Sequence, residues 1–194
     1  MKVRLLALGI TLLQFAFSPS YAGETVALTS YEDTTYTRVI TERSGKIVAN
    51  LGLPDSSAFF RVRTIVADQY RALNAVYTER DEKKIVQQDV DAKIATLHTA
   101  YLAKLATELT PEQIEKVKDG MTYGVVQVTY RAYQQQLPEL TDQQKADILA
   151  ALIEAREHAM DAESSEKKHA WFGKYKGRIN NYLSSQGIDM KKAK

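Results

Sequence analysis

Apolar residues recur along this chain at three- and four-residue steps, the spacing of helices that bury one face. Val39, Ile40, Ile47 and Leu51 set the face of a first helix, which should stop near Gly52 and Pro54. Asp55 or Ser56 caps a second, whose stripe runs Phe59, Val62, Val66, Leu73 and Val76 to Tyr77. The phase is lost near Arg80 and Asp81. Val86, Val90, Ile94, Leu97, Tyr101 and Leu105 then predict a long amphipathic third helix. Leu109-Thr110-Pro111-Glu112-Gln113 is a sharp start for a fourth: Thr110 caps, Pro111 sits where its missing N–H costs nothing, and Gln113 completes a capping box. The same grammar returns at Leu140-Thr141-Asp142-Gln143-Gln144.

Between those two starts, Gly120 and Gly124 bracket a Val- and Tyr-rich run, Thr122 to Tyr130. It reads as an interrupted helix that resumes towards Gln136 and is stopped by Pro138, with a short extended piece as the alternative. From Thr141 the spacing Ile148, Leu152, Ala155, Ala159 is regular. Ser164 and Ser165 break that helix and cap the last, in which Trp171, Tyr175, Ile179 and Tyr182 share a face and Gly187 ends the run. The expectation is one all-α domain over residues 23–194, a bundle of five to six helices.

The first 22 residues carry a different signal. Lys2 and Arg4 precede an apolar stretch, Leu5 to Phe17, followed by Ser20-Tyr21-Ala22, the pattern of a secretory signal peptide cut after Ala22. The stretch is too short and too poorly flanked for a membrane span. The expected address is therefore the periplasm or the exterior. The alternative is a short helix retained on the mature protein.

The chain has a formal charge of +2 and no Cys. Without thiols there is no disulfide framework, thiolate zinc site, thiol nucleophile or lipid-modified cysteine. The expected signal peptide takes two basic residues with it, leaving a formally neutral mature chain, which argues against a general nucleic-acid binder. That neutrality hides an asymmetry, because Glu166 to Lys194 holds eight Lys or Arg against two Asp or Glu. A basic end on an acidic body either holds an anionic ligand or pairs locally.

Candidate chemistry concentrates between Glu154 and Tyr182. Glu154 and His158 stand one helical turn apart with Asp161 just beyond, a stripe able to ligate a metal or to act as an acid–base pair. The doubled His of a zincin helix is missing, and such pairs are common on solvated helices. Lys167 to Arg178 is richer: it holds the only Trp, His169, several cations, and Gly173 and Gly177 in a GxxxG spacing. Aromatic faces flanked by hydrogen-bonding groups suit sugar rings, and glycines allow close approach to the backbone. The alternative is a buried stripe with the glycines marking a tight helix crossing. Tyr123, Tyr130 and Tyr133 form a second aromatic group near Gln127, Thr129 and Arg131, equally suited to a pocket rim or to helix packing. No phosphate-cradling glycine loop, Ser-His-Asp set or HExxH is present in the sequence.

Three segments carry a resemblance: Leu109–Gln113 with Val117–Tyr123, Glu154–Ala162, and above all Lys168–Leu183. From about Tyr36 to Asp189 the chain resembles a secreted bacterial family known as domain of unknown function 3826. That resemblance implies no established activity and at most sugar binding, in the company of polysaccharide-degrading enzymes. The paired LTxxQ segments are also similar to those of periplasmic helical chaperones and stress sensors. Three readings follow. The first is non-catalytic binding of an oligosaccharide, acidic in view of Lys174, Lys176 and Arg178. Its contacts come from His158, His169, Trp171, Lys174, Tyr175, Arg178, Asn181 and Tyr130, with no cofactor or metal. The second is a chaperone or sensor. The third is a glycan-acting enzyme in which Glu154, His158, Asp161 and His169 converge.

Overall fold

The computed structural model describes the backbone of residues 23–189 and the side chains of residues 34–189. The expected signal peptide, residues 1–22, lies outside the described residues. Seven α-helices follow in order: α1 Gly23–Val48, α2 Ser56–Asp81, α3 Gln87–Ala106, α4 Pro111–Met121, α5 Val125–Gln136, α6 Asp142–Met160 and α7 Ser165–Ser185. A single 3₁₀ turn, Ala49–Leu51, extends α1, and no strand occurs among the described residues.

The expected five to six helices become seven, and the interrupted helix explains the difference. Tyr123 and Gly124 both adopt left-handed backbone, with φ of 60° and 66°, so α4 and α5 are separate helices and not one bent helix. Gly takes this conformation freely, but for a tyrosine it costs roughly 1–2 kcal/mol. The single domain over 23–194 is also corrected. The described residues divide between Thr37 and Arg38 into two units by their contacts. Gly23 to Thr37 has no sustained apolar spacing in the sequence; further along α1, Ile40 is buried while Val39 stays 40% exposed.

Local rules place the remaining ends. Asp55 caps α2, its Oδ1 accepting from the Ala58 N–H at 2.7 Å, and Gly52 (φ 65°) turns the chain after the 3₁₀ segment. Both LTxxQ segments close as full capping boxes, Thr110 with Gln113 and Thr141 with Gln144. Gln113 also donates to the Leu51 carbonyl at 3.1 Å, tying the start of α4 to the end of α1. Gly120 permits a close approach, since a Cβ there would lie 2.9 Å from Ile47 Cγ2.

In the second unit, α6 packs against both α7 and α5, α2 pairs with α3, and α4 contacts α3 and α6. Ile148, Leu152, Ala155 and Ala159 of α6 are fully buried and meet Phe172, Tyr175, Ile179 and Leu183 of α7 in one core. Each large side chain withdrawn from water there stabilises the fold by about 1.5–3 kcal/mol. The buried positions of α7 are Lys168, Phe172, Tyr175, Ile179 and Leu183. The expected stripe was one residue out of phase at each end, so Trp171 and Tyr182 flank the core instead of filling it. Nor do the glycines mark a tight crossing, because a Cβ on Gly173 or Gly177 would meet nothing within 4 Å.

Candidate binding site

Helices α6 and α7 run antiparallel, and cross-helix pairs form a ladder along one seam. Tyr182 Oη donates to Asp147 Oδ2 at 2.6 Å, and Tyr175 Oη donates to Glu154 Oε1 at 2.6 Å. The Arg178 guanidinium lies over the Tyr175 ring at 4.5 Å and 3.4 Å from Glu154 Oε1. At the upper end the His158 imidazole stacks on the Trp171 indole, with centroids 4.4 Å apart and planes 15° apart, and Lys174 Nζ stands 4.8 Å from the indole centroid. The Tyr175 hydrogen bond and the Arg178 charge hold the Glu154 carboxyl below its ordinary range, while burial and Glu154 push the Tyr175 phenol up.

Trp171 and His158 also form one wall of a cleft of about 680 Å³ between α3 and the α6–α7 pair. Val90, Ile94 and Ala95 supply an apolar side, and Tyr77, Gln87, Asp91, His98, Thr99, Glu157 and Asp161 line the rest. The volume lies within the range of small-ligand pockets, about 300–1,000 Å³.

The floor is an ionic lattice. His98 Nδ1 donates to Asp161 Oδ2 at 2.6 Å, and His98 Nε2 lies 3.7 Å from Glu157 Oε2. Asp161 also accepts from Gln69 Nε2 at 3.4 Å, and its backbone carbonyl accepts from Tyr77 Oη at 2.8 Å. Behind it, Lys118 Nζ reaches Glu157 at 2.9 Å and Glu115 at 3.2 Å. Arg156 pairs with Asp119 at 2.6 Å, with Glu157 at 3.4 Å and with Glu115. Lys168 Nζ donates to the Ala159 and Met160 carbonyls at 3.0 and 2.8 Å and so caps α6 from within the core. Burial is the main reason its ammonium is lowered to about 8. Every carboxylate of the lattice except Asp91 of the outer lining thus has a cationic neighbour.

His98 is raised above 6.5, first by its hydrogen bond to Asp161, then against the cost of burial by the charges of Asp161 and Glu157. A histidine whose folded pKa exceeds its unfolded value adds stability that is whole below about pH 6.5 and fades as pH rises through the folded pKa. Wild-type protein compared with His98→Gln in urea should show this excess stability at pH 6 shrinking by pH 8. A difference independent of pH would mean that His98 carries no charge in the fold.

The expected contact residues fall into five places. His158 and Trp171 wall the cleft, and Lys174, Tyr175 and Arg178 continue the seam beside it, Tyr175 being buried. His169 lies on another flank of α7, stacked on Tyr123 with centroids 5.6 Å apart. Asn181 stands exposed, and Tyr130 is half-buried against the α5–α7 core. The four residues of the enzyme reading separate: His158 and Asp161 face the cleft, Glu154 belongs to the seam, and His169 meets Tyr123. Sequence reasoning missed His98, Tyr77 and Glu157. The only signal for His98 was its place beside the apolar stripe of α3, between Leu97 and Tyr101.

An all-helical bundle with a lateral cleft is thus the class that the geometry defines. The chain belongs to the family described as "Protein of unknown function (DUF3826)", whose pattern matches residues 37–93 and 82–194. Comparison with curated proteins gives no match. No helix among the described residues is long and apolar enough to cross a membrane.

Proposed function

We propose that this protein is a non-catalytic carbohydrate-binding protein, exported through its N-terminal segment and serving polysaccharide use in the periplasm or outside the cell. The observation that carries the reading is the cleft wall, an indole and an imidazole stacked together above a floor of hydrogen-bonding groups. Sugars need both surfaces, a flat apolar one for their C–H faces and fixed polar groups for their hydroxyls. Three carboxylates and two histidines line the cleft, with no Lys or Arg, so its own occupant is an uncharged sugar. The cations that favour an acidic glycan are engaged elsewhere: Lys174 faces the indole, and Arg178 faces Tyr175 and Glu154.

Two observations weigh against the other readings. His98 sits between two carboxylates that favour its protonated form, which makes it a poor general base. The LTxxQ segments are fully used as helix caps, so they give a chaperone role no separate support.

Trp171 is the only tryptophan, so indole emission reports on the cleft directly. Titration of the mature protein with neutral oligosaccharides (cello-, xylo-, manno- and malto-hexaose) should give a saturable emission change with one of them. Trp171→Ala should weaken binding of that sugar at least tenfold, about 1.4 kcal/mol, when followed by calorimetry. If none of the sugars alters emission or binds calorimetrically, the reading fails.

A further inference from the structure

A second feature lies on another flank of α7. Tyr123 is strained into left-handed backbone, yet the strain does not bury its ring, which stays 47% exposed while Met121 and Val126 on either side enter the core. A bulky residue held in that region marks a place that the surrounding fold over-determines, a common property of ligand sites. The ring is braced from behind by His169, parallel within 16°. It forms one end of a groove of about 410 Å³ whose floor is Ile47 and Gly120 and whose sides include Arg43, Lys46 and Asn50. Gly120 is required there, because any side chain would strike Ile47.

The charges in this groove are not balanced. Its one carboxylate, Glu42, pairs with Arg38 at 3.1 Å. Arg43 and Lys46 form no ion pair among the described residues; the Arg43 guanidinium lies 5.6 Å from the Tyr70 ring centroid. Lys168 stands behind the same ring, at 6.0 Å, and the Arg43 charge adds to the burial that lowers its ammonium. Two exposed cations, Arg43 and Lys46, thus line the groove with the exposed Tyr123 ring.

We propose that the groove between α1 and α4 is a second saccharide site, specific for an anionic sugar whose ring lies on Tyr123 and whose acidic group sits between Arg43 and Lys46. Its ligand class rests on the saccharide-binding reading above, but its location does not, since His169 and Trp171 lie two residues apart on α7 and face different flanks. Paired cations hold carboxylates and sulfates through charge-assisted hydrogen bonds, and an aromatic face takes the C–H side of the ring. The site also provides for the acidic partner that the uncharged-sugar cleft does not accommodate.

The test uses the full mature chain and three probes: tetragalacturonic acid, a chondroitin sulfate tetrasaccharide and, as a bare anion, inorganic sulfate. One of the two tetrasaccharides should bind saturably by calorimetry, which identifies carboxylate or sulfate as the recognised group. Arg43→Gln and Lys46→Gln should each weaken it about tenfold or more. Trp171→Ala should leave it unchanged. Tyr123→Asn keeps a residue that tolerates the left-handed turn, so it should abolish binding with the melting temperature equal or higher. The proposal is overturned if neither tetrasaccharide binds, if sulfate alone binds as tightly as the better one, or if the cation variants bind like wild type. Failure of the cleft would appear separately, as unresponsive Trp171 emission with neutral sugars.

Discussion

Phe172→Ala should cost about 3–5 kcal/mol of folding stability, while Trp171→Ala, one residue earlier, should cost only about 1–2 kcal/mol. Phe172 is 2% exposed and belongs to the core that joins α5, α6 and α7. Its removal leaves a cavity that Ile148, Leu152 and Leu183 cannot collapse to fill without disturbing the α6–α7 contact. Typical domains have only 5–15 kcal/mol in total, so this single change takes a large share. Trp171 gives up a half-buried ring, the stack on His158 and the Lys174 contact, all at the cleft margin. Urea unfolding of the two variants side by side makes the comparison. Equal losses would make Trp171 a core residue, and the binding cleft would lose its wall.

Arg156→Ala should be almost as severe, at roughly 3 kcal/mol, a fall of about 6–12 °C in melting temperature. The Arg156 side chain is 3% exposed and serves Asp119, Glu115 and Glu157, so one cation holds α4 to α6. Deleting it strands three carboxylates together, with Lys118 left to offset Glu115 and Glu157 and His98 beside Glu157 alone. The figure stays at the low end for a broken buried pair because the carboxylates keep 24–49% of their side-chain exposure and recover some hydration. Burial acts upward on Glu115, but the hydrogen bond and charge of Arg156 outweigh it and hold that carboxyl below 4.5. Its contribution is therefore present above pH 4.5 and lost as pH falls through the lowered value. Arg156→Ala should accordingly flatten the acid limb of the stability curve. A loss under about 1 kcal/mol would mean that the lattice is an ordinary surface cluster.

The helices were legible in the sequence where the information was local. Thr110-Pro111-Glu112-Gln113 and Thr141-Asp142-Gln143-Gln144 define their own starts through bonds spanning three residues, and both formed as read. The division between α4 and α5 was not legible, because nothing in a tyrosine's chemistry announces a left-handed backbone. On α7 the misleading residue was Lys168. A charged residue opening the buried stripe hides its true phase, and the eye moves to Trp171, which stands beside the core. The site was legible only in part for a different reason. His158 and Trp171 declare themselves as aromatic neighbours of a basic segment. His98 gains its meaning from Asp161, 63 residues away, and no local pattern links them.

The burial of Arg156 has a consequence for the conditions this protein tolerates. Dissolved ions screen exposed charges over about 8 Å at physiological ionic strength and about 3 Å in molar salt, but they scarcely reach a guanidinium enclosed by protein. The tie between α4 and α6 should therefore survive brine that strips ligands from exposed cations such as Lys46. A protein built this way keeps that tie through wide swings in salt and gives it up when protons reach its carboxylates.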